Sequence, residues 1–174
     1  MERAAEVTLQ EILLNRERRV LRQRAAIEAF GRPLISITLV TPGPVKDSPT
    51  SRRVMHHALR TLETLMASRG WQILNREEFL DPTGPEALLV VAASSRELKA
   101  ATAHLEDEHP LGRLWDIDVI DTLGTACSRS TLGLPARRCL LCQEDAHLCV
   151  RSRAHPLPEL QQAVQEIVHA YRDF

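Results

Sequence analysis

Trp115-Asp116-Ile117-Asp118-Val119, entered through Gly112-Arg113-Leu114, alternates apolar and acidic side chains over five residues. As a strand it turns Trp115, Ile117 and Val119 to one face and Asp116 and Asp118 to the other. Carboxylates at i and i+2 sit roughly 6.6–6.8 Å apart along a strand, close enough for their oxygens to converge on one hard cation. Without a cation between them, the two charges repel. An isolated Asp-x-Asp strand also suits the wet face of an antiparallel sheet, so its neighbours must decide between the two readings.

Outward from this strand the chain divides cleanly. Before it, Ser94 or Ser95 caps a helix through about Glu108, with Leu98, Ala101 and Leu105 on one side and His109-Pro110 as the stop. Ala87 to Ala93 is a buried strand. Asp81-Pro82-Thr83-Gly84-Pro85 is a turn, and Trp71 to Leu80 a strand before it. Ser48 or Thr50 caps a helix to about Arg69, with Val54, Ala58, Leu62 and Leu65 on one face and Gly70 at its end. Leu34 to Val40, rich in β-branched residues, is the first strand. The order strand, helix, strand, strand, helix, strand is that of a ferredoxin-like split βαβ core, an α+β fold with a four-stranded antiparallel sheet and two helices. The expected organisation is one domain over residues 1–174: an N-terminal helix within 1–33, the core over 34–120, and a Cys-rich loop with a closing helix over 121–174.

Composition adds bounds. The 174 residues are 44% hydrophobic and 26% charged, ordinary for a globular protein with a real core. The net charge of −1 gives no field favouring nucleic acid or membrane, and 3% aromatic content leaves few platforms for stacking RNA bases. The longest apolar run, Ala87 to Ala93, is too short to cross a bilayer, and the N-terminus has no apolar signal core, so a cytoplasmic protein is expected. Only two of the 22 basic residues are lysines, Lys46 and Lys99. The bias toward arginine makes the run Arg16, Arg18, Arg19, Arg22 and Arg24 read as a solvated helix face.

Three constellations carry possible chemistry. Pro42-Gly43-Pro44-Val45-Lys46-Asp47-Ser48 links the first strand to the next helix, whose N-terminus presents free amides to anions, with Arg52 and Arg53 in its first turns. It lacks the Gly-Lys-Ser/Thr ending of a Walker loop. In the split βαβ topology this loop and Arg113 meet the first Asp of the pair at one end of the sheet. Arg137-Arg138-Cys139-Leu140-Leu141-Cys142 follows, then Cys149, Arg151, Arg153 and His155. Cys139 and Cys142 offer two legs of a tetrahedral zinc site that Cys149 and His155, Cys127 or His147 would complete; free thiols or a redox pair are the other readings. The pairs Arg137-Arg138 and Arg151-x-Arg153 around this block could contact phosphates, subject to the arginine bias. His109 ends a helix, where the dipole favours a cation, and no histidine is assigned as a base.

Taken together, Val40 to Ser48, Arg52-Arg53, His109 to Val119 and the Cys block resemble the apo-citrate lyase phosphoribosyl-dephospho-CoA transferase family, also called holo-citrate lyase synthase or CitX. The resemblance implies transfer of the phosphoribosyl-dephospho-CoA group of 2′-(5″-triphosphoribosyl)-3′-dephospho-coenzyme A to a serine of the citrate lyase acyl carrier (gamma) subunit, with pyrophosphate leaving. The residues fit that chemistry. Asp116 and Asp118 would hold magnesium on the phosphates, and Lys46 and Arg113 would neutralise charge as pyrophosphate departs. Gly43, Asp47, Arg52, Arg53, Arg137, Arg138 and Arg151 would bind the substrate, and Asp47 and Glu86 are the carboxylates at hand for a further ligand or a base. Two alternatives remain at this point: the same transfer to a malonate decarboxylase-type carrier, and a non-enzymatic, zinc-stabilised binding module.

Overall fold

The structure, a computed structural model, describes residues 5–171. Thr8 caps α1 (Leu9–Phe30) through a reciprocal pair: its hydroxyl accepts from the Glu11 amide at 3.3 Å, and the Glu11 carboxylate accepts from the Thr8 amide at 2.7 Å. β1 (Leu34–Leu39) leads to α2 (Pro49–Arg69), whose first turn is fixed by Ser48 and by Pro49 at the position where proline loses no hydrogen bond. β2 (Ile73–Asp81) and β3 (Gly84–Val91) form a hairpin, and α3 (Ser95–Glu108), capped by Ser94, leads through a 3₁₀ turn at Gly112–Leu114 into β4 (Trp115–Ile120). α4 (Ala146–Ser152) and α5 (Leu157–Ala170) complete the chain.

The four strands form one antiparallel sheet in the order β2-β3-β1-β4, as the split βαβ reading requires. Two boundaries move. The segment 81–85 is not all turn: only Pro82-Thr83 lies between the strands, and Gly84 (φ +104°) and Pro85 already belong to β3. The Cys-rich segment is not all loop, because Asp145 caps the short α4. That helix is too brief to show a periodic apolar face in the sequence.

One sheet face is the apolar core. Ile35, Ile37, Leu89, Val91, Trp115, Ile117 and Val119 pack against Val54, Ala58, Leu59 and Leu62 of α2 and Leu98 of α3. Val164, Ile167 and Val168 of α5 close over its margin. The other face lies under α1, and every residue of β3 is buried because both its faces are covered. α1 is oriented against its own hydrophobicity. Leu9, Leu13, Leu14 and Leu21 are exposed, whereas Asn15 and Ala26 are buried. The arginine run is therefore not simply a solvated face. Arg19 and Arg22 turn inward to Glu86 of β3, Arg22 also reaches Asp81, and Asn15 donates to Glu86 at 2.6 Å. Gln23 donates to the Ser36 hydroxyl at 3.0 Å. A charged layer needs internal partners of this kind to be buried at all.

Candidate active site

β4 supplies the alternation read from the sequence: Trp115, Ile117 and Val119 are buried and Asp116 and Asp118 are exposed on the α1 side. Both carboxylates thus lie on one sheet face, next to β1, where Thr38 pairs with Asp116 and Ser36 with Asp118. Asp116 accepts from Arg137 Nη1 at 3.1 Å and lies 3.5 Å from the Thr38 hydroxyl. Solvent reaches Asp118, but its carboxyl lies at the floor of a recess beneath α1. Burial there and the charge of Asp116 raise its pKa, and Lys99 and Arg19 only partly oppose this. Two carboxylates that repel on an open face form a site whose charge a divalent cation would relieve.

The strand bearing them is fixed from its outer side by α3. Buried Glu106 accepts the Ile117 amide at 2.9 Å, and buried Lys99 donates to the Ile117 carbonyl at 2.8 Å. Glu106 is balanced by Arg129 at 2.8 Å and Arg137 at 3.8 Å. Neither Lys99 nor Glu106 stands out as functional in the sequence. The available signal was their seven-residue spacing, which puts both charges on the stripe of α3 that also carries Leu98 and Thr102. Thr38 and Arg129 carried no signal of their own.

The 3₁₀ turn ahead of β4 explains the glycine in Gly112-Arg113. A Cβ there would lie 2.3 Å from the Leu105 carbonyl, so only glycine lets the turn pack on the end of α3. Arg113 comes within 3.5 Å of the Arg138 carbonyl, and its own carbonyl accepts from Arg137 at 2.8 Å. Arg137 therefore ties Arg113 to Asp116, while the Arg138 side chain donates to Gln143 at 2.8 Å. Lys46 packs over Gly84 at the start of β3, at the same end of the sheet, and donates to the Thr41 carbonyl rather than to either aspartate; partial burial lowers its pKa. Asp47 and Arg52 are engaged with each other at 2.8 and 2.6 Å. Gly43 (φ +95°) lies against α5: a Cβ would meet Gln161 at 2.7 Å. Arg53 lines a broad depression between α2 and α5, and Arg151 is exposed on α4. Glu86 is on the α1 face but enclosed by Asn15, Arg19 and Arg22. His109 is no cationic cap. Its ring stacks on Trp115 at 4.3 Å, its Nδ1 accepts the Leu111 amide at 3.1 Å, and burial lowers its pKa.

The cysteines resolve the ligand choice. Cys139, Cys142, Cys149 and His155 bring one ligand atom each within 4.8 Å of one another; Cys127 and His147 are not in the group. The Cys142 and Cys149 sulfurs are 3.5 Å apart, near the about 3.8 Å expected for two sulfurs on a tetrahedral zinc. His155 Nε2 is buried with no partner. Burial works to raise the Cys139 thiol, but the Leu141 and Cys142 amides and the neighbouring thiols outweigh it and draw it down to about 7. Cys149 is pushed up to about 12 by burial and by the same neighbours. The cluster can hold a metal ion such as zinc.

Comparisons with known proteins agree over nearly the whole chain. The sequence profile described as apo-citrate lyase phosphoribosyl-dephospho-CoA transferase (CitX) matches residues 7–171. A protein of that name from Escherichia coli O7:K1 is 43% identical over 163 residues, which cover 94% of this chain and 89% of that protein. One from Shigella boydii serotype 18 is 42% identical over the same shares. Among the described residues no helix is long and apolar enough to cross a membrane.

Proposed function

The chain belongs to the apo-citrate lyase phosphoribosyl-dephospho-CoA transferase family, and on that premise we propose that it moves the phosphoribosyl-dephospho-CoA group of 2′-(5″-triphosphoribosyl)-3′-dephospho-coenzyme A to a serine of the citrate lyase acyl carrier (gamma) subunit. The observation that supports this most is the pair Asp116 and Asp118 on one open sheet face, with Arg137 on the first and arginines of α1 beside the second.

The serine oxygen attacks the α-phosphorus of the triphosphate. A phosphodiester forms, the bond to the β-phosphate breaks, and pyrophosphate leaves. Such a displacement depends on alignment and on neutralising charge. Asp116 and Asp118 would hold magnesium, which would supply positive charge against the phosphates. Arg137 and Thr38 fix Asp116, and the buried Lys99 and Glu106 hold Ile117 between the two aspartates. Arg113 and Lys46 flank that end of the sheet and oppose the charge on the departing pyrophosphate. Cys139, Cys142, Cys149 and His155 would hold zinc in a structural role, pinning the segment that presents Arg137. The four free cysteines suit a cytoplasmic enzyme.

The test is direct. The protein is incubated with the triphosphate donor, magnesium and apo-carrier, and the carrier is weighed by mass spectrometry. Gain of one phosphoribosyl-dephospho-CoA group on the citrate lyase carrier, with one pyrophosphate released, is expected. Modification only of a malonate decarboxylase-type carrier would reassign the acceptor, and no modification of either would overturn the reading.

A further inference from the structure

We propose that the flank of α1 facing β4 is the polyphosphate-binding wall of this site, with Arg16 and Arg24 as its anion contacts and Arg19 at its inner end. This deepens the proposed transfer reaction and rests on Asp118 belonging to its centre.

α1 is anchored over β3 and β1 through Glu86 and Ser36. It leaves a recess of about 350 Å³ along its β4 side, within the range of small-ligand sites. Arg16, Arg19, Gln23 and Arg24 form the helical wall, and Asp118 lies on the opposite side, with Gly124 beyond the end of β4. The spacing 16, 19, 23, 24 is one helical stripe, so these side chains share one direction. Anything bound to both aspartates must occupy this face, and of the two it is Asp118 that shares the recess with these arginines.

Arg16 and Arg24 are exposed and stand outside the ion pairs that anchor the helix. Glu86 is matched by Arg19 and Arg22, and Asp81 by Arg22. Among the described residues neither Arg16 nor Arg24 has a hydrogen-bond or ion-pair partner. Arg19 Nε is buried and unpartnered. With Leu9, Leu13, Leu14 and Leu21 turned to water elsewhere on the helix, this flank offers the recess mainly guanidinium charge. Guanidinium forks match phosphate oxygens two at a time, and a magnesium-bound triphosphate carries enough negative charge to engage several. Lys46 and Arg113, the cations that the sequence makes prominent, do not line this recess.

The experiment compares wild type with the double variant Arg16→Ala/Arg24→Ala. Binding of inorganic tripolyphosphate with magnesium is followed by calorimetry, donor KM and kcat by the carrier assay, and Tm by thermal unfolding. Loss of two charge-assisted contacts should weaken tripolyphosphate binding about ten- to a hundredfold and raise donor KM in parallel. Tm should stay unchanged, because neither side chain pairs within the fold. Arg16→Lys/Arg24→Lys should recover part of the affinity. Unchanged tripolyphosphate affinity and unchanged donor KM in the alanine variant would overturn the inference even while the wild type modifies the citrate lyase carrier. If the wild type modifies no carrier yet binds tripolyphosphate through Arg16 and Arg24, the transfer reading fails and the anion wall stands.

Discussion

Arg137 reaches back from the cysteine-rich segment to place Nη1 3.1 Å from Asp116 Oδ1, while its Nη2 holds the Arg113 carbonyl at 2.8 Å. One guanidinium thus connects the cysteine–histidine cluster that begins two residues away to the first acid of the proposed magnesium pair and to the turn that precedes it.

Arg137→Ala should lower kcat about tenfold and raise the magnesium concentration needed for half-maximal rate, because Asp116 loses its partner and its set orientation. Arg137→Lys should recover less than half of the loss, since a point charge cannot hold Asp116 and the Arg113 carbonyl together. A magnesium titration of the carrier assay measures both. Wild-type behaviour of the alanine variant would leave Arg137 as a loop residue only.

Asp116→Asn and Asp118→Asn should each reduce transfer by more than about a hundredfold with circular dichroism unchanged. The swap keeps volume and removes charge. Transfer above a tenth of wild type with the same magnesium dependence would remove the pair from the centre.

Asp118→Asn should also raise Tm at neutral pH in the absence of divalent ions. Burial and Asp116 raise the folded pKa of Asp118. The unfolded chain therefore ionises first as pH rises, and above that point the folded state bears the penalty. The gain in Tm should shrink as pH falls toward the unfolded carboxylate value of about 3.9, where both states are protonated. Scans at several pH values, with and without magnesium, read this out. A lower Tm in the variant at pH 7 would contradict the sign.

Cys139→Ser should lower Tm by several degrees and lower turnover per folded molecule less, because in the proposed transfer the carrier's serine attacks and no thiolate takes part. Elemental analysis of protein made without a histidine tag should find about one zinc per chain. A stable Cys139→Ser protein devoid of transfer, or a covalent adduct trapped on a cysteine, would make the cluster catalytic instead.

Glu86→Ala should destabilise the fold by about 2 kcal/mol, a Tm drop of roughly 4–8 °C, by leaving Arg19, Arg22 and Asn15 without their shared acceptor under α1. Limited proteolysis should then cut first within α1. An unchanged Tm would mean that Gln23, the Arg22–Asp81 pair and the apolar contacts of Ala26 and Ile27 hold α1 without Glu86.

The sheet was legible because Leu34 to Val40, Ala87 to Ala93 and Trp115 to Val119 carry strand chemistry, and Ser48, Gly70 and Ser94 mark helix ends. The acid pair and the Cys139-x-x-Cys142 half of the cluster were legible from local spacing, whereas Cys127 and His147 stayed open beside Cys149 and His155 until the fold brought the latter two together. The orientation of α1 was not. Its leucines and arginines both recur at helical spacing, and only the position of Glu86, about seventy residues from Asn15, decides which side turns inward. The same holds for Lys99 and Glu106: each reads as a surface charge until β4 is laid beside α3.

β4 is an outermost strand of the sheet, and a bare border strand invites pairing with another chain and, from there, aggregation. Here the border is already closed. The outward amide and carbonyl of Ile117 are taken by Glu106 and Lys99, the Cys127 amide takes the Val119 carbonyl at 2.8 Å, and Ile120 bridges to Ala126. Two buried ionic side chains and a short return of the chain thus do the work of a fifth strand. The acidic strand can leave Asp116 and Asp118 open to solvent without serving as a template for self-association.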